Sequence, residues 1–401
     1  MVIQQRKLKI DLVIMEIKLK KIGILAFGDK NGGGVYQYTQ SIIDALKTDN
    51  TNKYIIICNK DDNRFDNLNL EVRKIDKPKS NIVQKIIRAF QHLFFIRKHY
   101  FFSNSEFKLF NDIDIFLSPV ISAYPHFYLN KPFIFTLHDM QEKYYPQFFT
   151  RYERVMRWLN NRALAKTSFK IICESNFVKN DIVKFTKINP NKINVIQSPP
   201  PEEFLKYEFE DKQFEIVKEK YDLPDKYIFY PAQCWFHKNH IKLVEAFKLV
   251  VEKYDIFLIL TGSQQNNYNN LMKRIKELNL EDKVKHLGYI DYEDLAYLYK
   301  MSQMLMMPTL FESISIPIYE AFSLEVAVCS SNAVALPEQI GDAGLIFNPD
   351  DIIDIADKIM IYLENENLLI ANGLKGKERM LNFNHQEYKY KLLKVLTYDK
   401  S

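Results

Sequence analysis

The chain has 401 residues, which is enough for two hydrophobic cores and favours two domains. Hydrophobic residues make up 47% of the sequence and charged residues 26%, values typical of globular proteins and not of disordered or fibrous chains. The 55 basic and 50 acidic residues leave a net charge of +5, which is too small to indicate nucleic-acid binding, and we expect no nucleic-acid partner. No apolar run approaches the roughly 18 residues of a membrane-spanning helix.

Cysteine usage and the N-terminus bear on location. Four cysteines are far apart and form no C-x-x-C pair: Cys58, Cys173, Cys234 and Cys329. Three of them lie in or beside apolar runs, which predicts buried free thiols and a reducing, cytoplasmic compartment. Residues 1–20 have no small-residue cleavage site of the kind found in signal peptides, and we treat them as an N-terminal extension of unknown role.

The first half of the chain alternates strand and helix. Lys21 to Phe27 predicts a strand, Asn31 to Gly34 a glycine loop, and Val35 to Leu46 a helix. Further strands are predicted at residues 54–58, 113–117, 133–137, 169–173 and 193–196. Strands that alternate with helices predict a parallel sheet covered by helices on both faces.

A proline-rich break separates this half from a second alternating series. Residues 198–201 are Ser-Pro-Pro-Pro, and residues 202–226 are charged and have no strand signal, as expected for an interdomain connection. The second series has predicted strands at 227–231, 256–261, 284–287, 304–307 and 326–329, with helices at 241–254, 269–278, 295–301, 352–364 and 386–396. We therefore expect two doubly wound α/β domains, Rossmann-like, that face a central cleft. Their predicted bounds are 21–205 for the N-terminal domain, 206–382 for the C-terminal domain, and 383–401 for a C-terminal helix that packs back on the N-terminal domain. In such sheets ligands bind beyond the carboxyl ends of the strands.

The segment from Phe311 to Glu320 is the most informative of the second series. Glu312 comes just before a predicted helix start and Glu320 just beyond its first turn. Ser315 is expected to cap this helix, whose free N–H groups and dipole favour a phosphate. The alternative is an ordinary strand–loop–helix with two solvated carboxylates.

Two other loops have the composition of phosphate sites. In residues 236–240, Lys238 follows a strand and can meet a diphosphate as a point charge, and Asn239 is expected to cap the next helix. Gly32 to Gly34 open the first helix and let a ligand approach the backbone, but they do not form the G-x-G-x-x-G of a dinucleotide site. A surface turn and a tight turn without ligands are the alternatives.

Histidine and aspartate motifs give further candidates. His138 ends an apolar strand, where it can hydrogen-bond a sugar, act on a proton, or serve the structure; Asp139 is expected to hold the loop or the histidine. Residues 112–114 (Asp-Ile-Asp) have the D-x-D form of metal-dependent sugar transferases, but they front an apolar strand and are interpreted as structural. His237 and His240 have no acidic or cysteine partner, so we predict no metal.

Two stretches are basic and amphipathic. Residues 77–102 carry lysines and arginines without any acid, and apolar residues recur there at helical spacing. Residues 151–166 have several arginines on one face and a single acid. Each stretch is either an interfacial helix that contacts anionic lipid or a core-facing helix with a solvated basic face.

Taken together, these motifs resemble glycosyltransferase family 4, the retaining enzymes of GT-B fold, and in particular a mannosyltransferase-like subgroup. The resemblance runs from about Lys21 to the end of the chain. It rests on residues 32–34, 136–139, 173–177, 237–239, 311–320 and 336–338.

The resemblance implies roles for individual residues. It places His138, Glu312 and Lys238 at the reaction centre, with Lys238 on the donor's diphosphate, Glu312 near the hydroxyls of the transferred sugar and His138 beside that sugar. The implied donor-binding set is Gln233, Lys238, Glu312, Ser313, Ser315, Ile316 and Glu320, with the backbone of Ser315 and Ile316 on the phosphates and Glu320 on the ribose. The implied acceptor side or cleft wall is Gly33, Gly34 and Ser175.

Two positions depart from the family pattern. The family often has arginine where this chain has Gln233, so one charge partner of the phosphates is missing. Ser313 and Ser315 stand where the family usually has glycine, which narrows the loop and brings hydroxyls towards the ligand.

The implied reaction is retaining transfer of a sugar from a nucleotide-diphosphate donor to a hydroxyl of a glycan or lipid-linked acceptor, in surface polysaccharide biosynthesis. It requires no metal or other cofactor, and no residue stands out as a covalent nucleophile. The resemblance and the two basic stretches imply a cytoplasmic protein with peripheral contact to an anionic membrane. Another GT-B enzyme, such as a sugar-nucleotide epimerase, and a catalytically inactive GT-B scaffold are the alternatives.

Overall fold

A computed structural model describes residues 19–27, 34–76, 82–97, 109–120, 122, 124, 131–200, 202–381, 383 and 385–397. The chain divides into two compact units, Met1–Leu137 with Val155–Ile172, and His138–Arg154 with Cys173–Ser401. The strands of the two sheets lie on either side of the predicted boundary at residue 205, and the boundary itself stays a prediction.

The first sheet is parallel and has the order β3-β2-β1-β4-β5-β6-β7 within the described residues. Its strands are β1 (Lys21–Leu25), β2 (Lys53–Asn59), β3 (Glu71–Ile75), β4 (Ile115–Ser118), β5 (Phe133–Thr136), β6 (Lys170–Cys173) and β7 (Ile193–Val195). The central strands are β-branched and apolar because both faces are covered: Ile22 and Ile24 of β1 are fully buried, and Ile24 pairs with Ile56 of β2.

The helices of this half cover the sheet or follow its strands. Those in the described ranges are α1 (Gly34–Leu46), α2 (Ile82–Leu93), α3 (Arg151–Thr167) and α4 (Asn176–Thr186). In α1 the buried side chains, among them Tyr38, Ile42 and Leu46, recur every three to four residues and form one apolar face.

The second sheet is also parallel and has the order β10-β9-β8-β11-β12-β13 in the part of the chain that is described. Its strands are β8 (Tyr227–Pro231), β9 (Phe257–Thr261), β10 (Val284–His286), β11 (Met304–Met307), β12 (Val328–Ser331) and β13 (Gly344–Phe347). The chain builds outward from β8 in one direction, then returns to β11 and builds outward in the other. The order therefore reverses between β8 and β11.

The second half has helices between its strands and after the last of them. They are α5 (Glu202–Leu205), α6 (Asp211–Lys220), α7 (His240–Val251), α8 (Tyr268–Glu277), α9 (Tyr292–Met301), α10 (Ile316–Ser323), α11 (Leu336–Ile340), α12 (Ile352–Glu364), α13 (Glu366–Met380) and α14 (His385–Leu396). No helix among the described residues is both long and apolar enough to cross a bilayer.

The predicted fold class of two doubly wound α/β sheets is confirmed, and some elements were not predicted. The sequence of β3, Glu-Val-Arg-Lys-Ile, is charged because this edge strand is only partly buried, so it shows no apolar run. α6 lies in the stretch interpreted as a connection, where Val217 is its one fully buried side chain. α13 was also missed, and its buried positions include Gly373 and Gly376, which carry no hydrophobic signal.

Candidate functional site

Two loops meet where the order of the second sheet reverses. In open α/β sheets ligands bind at this point, outside the carboxyl ends of the strands. The loop after β8 and the loop after β11 are joined there because His237 O accepts from Leu310 N at 2.8 Å and from Thr309 Oγ1 at 3.0 Å. Two motifs that are about 70 residues apart in the sequence thus form one site.

Lys238 and Glu312 are brought into direct contact at this junction. The Lys238 ammonium donates to Glu312 Oε2, and about a fifth of each side chain is exposed. An ion pair held away from bulk water is stronger than one on an open surface. Lys238, which was predicted to bind a phosphate, is therefore already paired with Glu312, which was predicted to bind the transferred sugar.

Asn239 fixes this loop in a way that the sequence did not indicate. It lies at the N-cap position of α7 with φ +59°, and its side chain makes no capping bond, so the predicted cap is wrong. Its amide instead donates to Pro308 O at 3.0 Å and to Pro349 O at 2.9 Å. Asparagine tolerates the left-handed backbone, and its two donors join the loops that follow β8, β11 and β13.

Ser315 occupies the N-cap position of α10, but its hydroxyl does not cap the helix, which corrects the prediction. The hydroxyl lies 3.8 Å from Met307 Sδ, and the residue is buried. The Ser315 N–H donates to Gln339 Oε1 at 2.9 Å, and Gln339 Nε2 donates back to Ser315 O at 2.6 Å. An anion that used the Ser315 N–H would have to displace this amide, whereas Ser313 and Ile316 are half-buried in the same segment.

Glu320 lies inside the helix–sheet layer. It is 3% exposed and accepts from the Tyr299 hydroxyl at 2.7 Å. Burial raises the pKa of the Glu320 carboxyl to about 7, and the Tyr299 hydrogen bond opposes that rise. Burial therefore favours the neutral, protonated form of Glu320 in the folded protein.

His138 has a carboxylate partner to which the sequence analysis assigned no role. Its Nδ1 lies 3.0 Å from Glu174 Oε2, and both residues are buried. His138 follows β5 and Glu174 follows β6, and these strands are neighbours in the sheet. The sequence signal was therefore present, because polar residues that follow adjacent parallel strands lie at one edge of the sheet.

Ser175 and Glu338 belong to two motifs of the resemblance. Ser175 caps α4, since its hydroxyl accepts from Val178 N at 3.3 Å, and it is buried. Glu338, in α11, accepts from Asn176 N at 3.2 Å and from Asn176 Nδ2 at 2.8 Å. The observed role of Ser175 is thus helix capping, and its predicted contact with an acceptor stays a prediction.

Aromatic rings lie beside the Lys238–Glu312 pair. Tyr145 stacks on Phe148 at 5.4 Å between centroids, and Phe148 lies 6.2 Å from the ring of Phe236 in a stacked arrangement. Tyr145 also meets Phe311 edge-on. Two of these rings belong to residues just before the pair: Phe236 precedes Lys238 by two positions, and Phe311 directly precedes Glu312. No motif in the sequence indicated this aromatic cluster.

Gln233 is held by Trp235. The indole Nε1 donates to Gln233 Oε1 at 2.8 Å, and the Trp235 N–H donates to Gln233 O at 2.8 Å. Gln233 is half-buried. The position that departs from the family pattern is therefore part of a defined local structure.

The remaining candidates fall into two groups. Gly33 lies outside the described residues, whereas Gly34 is the first residue of α1 and is exposed, with open space where a side chain would project. The interpretation of residues 112–114 as structural is confirmed: Asp112 pairs with Lys21 and Arg73, and Asp114 accepts from the Lys21 N–H at 2.9 Å.

The amphipathic helix α2 is turned outward. Most of its large apolar side chains, together with one that follows it, are 39–70% exposed, whereas Ile87 is half-buried. The exposed ones are Ile82, Val83, Ile86, Phe90, Leu93 and Phe94. Polar Gln91 and His92 are the buried residues. The core-facing interpretation is therefore wrong for α2.

Part of α3 adjoins the end of α2. Arg162 Nη1 donates to Leu93 O at 3.4 Å, and its guanidinium lies 4.6 Å from the centroid of the Phe95 ring. The same guanidinium lies 5.7 Å from the ring of Trp158, which is partly exposed, and Val155 one turn earlier is also exposed. The exposed apolar residues of the two helices thus adjoin one another through Arg162.

Two family sequence models match the chain. Residues 32–199 match the model described as Glycosyltransferase Family 4, and residues 211–379 match that of Glycosyl transferases group 1. The two matches lie in the two halves that carry the two sheets.

Curated relatives match over parts of their length. O-antigen chain mannosyltransferase B of Escherichia coli is 32% identical over 164 residues, which are 39% of this chain and 43% of that protein. O-antigen chain mannosyltransferase RfbU of Salmonella typhimurium is 28% identical over 220 residues, 54% of this chain and 56% of that protein. The matches thus span about half the length of these relatives.

Solved structures share the fold over nearly the whole chain. A glycosyltransferase from Rickettsia africae superposes with a TM-score of 0.72 at 19% identity and covers 95% of this chain and 100% of its own. Alr3699/HepE of Anabaena, solved with UDP and glucose, superposes with a TM-score of 0.74 at 15% identity and covers 94% of this chain and 99% of its own. At these identities the likeness establishes the fold alone.

Proposed function

Since this chain belongs to glycosyltransferase family 4 and has the GT-B fold, we propose that it transfers a sugar from a nucleotide-diphosphate donor to a hydroxyl of a growing surface glycan, with retention of the anomeric configuration. Mannose is the first candidate for the transferred sugar because the O-antigen relatives named above are mannosyltransferases. The observation that carries the proposal is the Lys238–Glu312 pair at the reversal point of the second sheet.

The pair has the properties needed to bind and release a diphosphate. A diphosphate that enters the site competes with Glu312 for the Lys238 ammonium, and the carboxylate is freed when the ammonium turns to a phosphate oxygen. Glu312 can then accept hydrogen bonds from sugar hydroxyls. As the bond from the anomeric carbon to the phosphate oxygen breaks, the leaving group gains negative charge next to Lys238 and the start of α10, which both stabilise it.

We propose a front-face reaction for the chemical step. The acceptor oxygen forms its bond to the anomeric carbon on the side from which the diphosphate leaves, and the acceptor proton passes to the departing phosphate oxygen. His138, held by Glu174, lies beside the sugar in this proposal. Lys238 and the dipole of α10 supply the positive field, so the proposal includes no metal ion and no other cofactor.

We also propose that the acceptor is carried on a lipid and that the protein docks on the cytoplasmic face of an anionic membrane. The outward apolar face of α2 supports this, because large apolar side chains clustered on a surface mark an interaction site. Residues 77–102 contain no acid, and Lys85 of this helix is exposed. A helix with exposed apolar residues and only positive charge suits a surface that is apolar inside and anionic outside.

A direct test uses the purified chain, a panel of nucleotide sugars that includes GDP-mannose and UDP-glucose, and a lipid-linked saccharide acceptor. The expected result is release of nucleoside diphosphate that depends on the acceptor, and an α-linked product from an α-linked donor. An epimerase would change the donor's sugar without any acceptor. An inactive scaffold would bind a nucleotide sugar and release nothing, and either result overturns the proposal.

A further inference from the structure

Gln233 and Trp235 form a unit on the same loop as Lys238. Gln233 lies two residues beyond β8 and five before Lys238, at the point where the strand order reverses. It also stands where the family often has arginine. The loop therefore has a neutral amide at a position where a cation is common.

The indole fixes which way the amide points. Asn and Gln amides are ambiguous between their oxygen and nitrogen ends unless the hydrogen-bond network decides. An indole N–H can only donate, so the atom that it meets at 2.8 Å must be the Gln233 carbonyl oxygen. The NH₂ group is then the end of the amide that the indole does not contact, and no hydrogen-bond partner for it is found among the described residues.

The backbone beneath Gln233 is immobilised by the neighbouring strand end. Ala232 N donates to Thr261 O at 3.1 Å, and Cys234 N donates to Ser263 O at 3.1 Å. Gly262 has φ +114°, and a Cβ there would come within 2.8 Å of Gln233 N. Only glycine permits this close approach, which leaves the Gln233 amide on a rigid support.

We propose that Gln233 donates a hydrogen bond from its NH₂ group to the diphosphate of the donor, and that Trp235 is a positioning residue that holds the carbonyl oxygen and so leaves the NH₂ group for the ligand. The inference rests on the proposed function and extends it. In this chain Gln233, oriented by Trp235, offers a neutral hydrogen-bond donor where an arginine would offer a positive charge. Lys238, which Glu312 already offsets, is then the one side-chain cation that this loop contributes to the diphosphate.

Four variants separate orientation from charge and from packing. Trp235→Phe keeps an aromatic ring and removes the N–H, Gln233→Ala removes the amide, and the third combines the two changes. Gln233→Glu keeps the shape and can still accept from the indole, but it cannot donate to a phosphate. Trp158→Phe is the matched control, because Trp158 and Trp235 are the two tryptophans of the chain.

The measurement is the Kd of nucleoside diphosphate by calorimetry, with the melting temperature of each ligand-free variant recorded to exclude misfolding. One neutral hydrogen bond corresponds to about a 3- to 12-fold change in Kd. We expect Gln233→Ala and Trp235→Phe to weaken binding within that range, the double variant to be no weaker than Gln233→Ala, and Gln233→Glu to lose about 30-fold or more. Trp158→Phe should bind as the wild type does.

Two results overturn the inference while the wild type still binds the nucleotide. One is unchanged binding in Gln233→Glu or in Trp235→Phe. The other is a loss from Trp235→Phe that persists in the Gln233→Ala background, since tryptophan would then act independently of the amide. If the wild-type protein binds no nucleoside diphosphate at all, the proposed function fails first.

Discussion

Lys238 and Glu312 form an ion pair between the loops that leave β8 and β11, the two strands at which the order of the second sheet reverses. Glu312 and an incoming diphosphate compete for the same Lys238 ammonium, because the ammonium already pairs with the carboxylate. Removing the carboxylate and removing the ammonium should therefore have opposite effects on nucleotide binding, although both should impair transfer.

Lys238→Ala is expected to weaken the binding of nucleoside diphosphate and to lower kcat about 100-fold or more, as seen when one preorganised group that stabilises developing negative charge is lost. Binding is measured by calorimetry and kcat by nucleotide release. Lys242→Ala, on the next helix and paired with Glu245, is the matched control and should behave as the wild type does. A Lys238→Ala enzyme with normal kcat would contradict the site.

Glu312→Gln is expected to bind nucleoside diphosphate a few times more tightly than the wild type, because it removes a negative charge and frees Lys238. Transfer should nevertheless fall, since the variant has an amide where the sugar needs a carboxylate. The two readouts, Kd of the product and kcat, should both fall, so that tighter product binding accompanies slower transfer. Weaker product binding would contradict the competition inferred from the ion pair.

Glu320 predicts a pH dependence of stability. Its folded-state pKa of about 7 lies above the ordinary value of 4.5, so the folded protein binds more protons than the unfolded chain between these pH values. The contribution of Glu320 to stability is thus fully present below pH 4.5 and is lost as the pH rises to about 7. The loss amounts to about 3 kcal/mol, since a change of one pKa unit corresponds to about 1.36 kcal/mol.

Glu320→Gln keeps an acceptor for Tyr299 and cannot ionise. Relative to the wild type, this variant should gain stability steadily between pH 4.5 and 7 in urea unfolding measured at each pH. The difference between the two proteins isolates this group from the other titrating residues. An equal gap at both ends of the range would show that the pKa of Glu320 is not raised by burial.

Asn239 allows a prediction with two matched substitutions. Asn239→Gly loses the hydrogen bonds to Pro308 and Pro349 but tolerates φ +59°, whereas Asn239→Ala loses the bonds and strains the backbone. We expect glycine to cost about 1–3 kcal/mol and alanine about 1 kcal/mol more. Urea unfolding measures both, and equal costs would mean that the left-handed conformation carries no strain.

The carboxylate partner of His138 should act through the histidine. Glu174→Gln retains an oxygen that can accept from Nδ1, whereas Glu174→Ala removes the acceptor that faces Nδ1. We expect alanine to lower kcat about 10- to 100-fold with little change in donor KM, and glutamine to recover much of that loss. If both variants kept the kcat of the wild type, Glu174 would not act through His138 in the reaction.

Strands were easier to predict than the contacts that build the site. Buried parallel strands such as β8 and β11 are apolar runs bounded by turn residues, and a sequence shows these directly. The edge strand β3 and the helix α13 lack that signal. Within the site, Lys238 and Glu312 were found from their motifs, but their mutual contact depends on which strands lie side by side.

Capping was where local rules failed. Ser315 and Asn239 have side chains suited to caps, yet both side chains contact tertiary partners instead. The Ser315 hydroxyl lies against Met307 Sδ, and two loop carbonyls accept from the Asn239 amide. Glu174 escaped notice because its role depends on His138, 36 residues earlier. A sequence pattern identifies the groups that can bond, but the fold decides which of them meet.

The outward face of α2 predicts binding to anionic vesicles. The wild type should float with phosphatidylcholine vesicles that contain phosphatidylglycerol, and less with phosphatidylcholine alone or in high salt, where the attraction to lysine is screened. Phe90→Ser with Phe94→Ser removes two exposed rings whose centroids are 4.6 Å apart and should reduce flotation about tenfold or more. Leu374→Ser is the control, because this leucine is equally exposed on α13. If the wild type stays with the unbound protein, membrane docking is wrong, and if only the control loses binding, the docking face lies elsewhere.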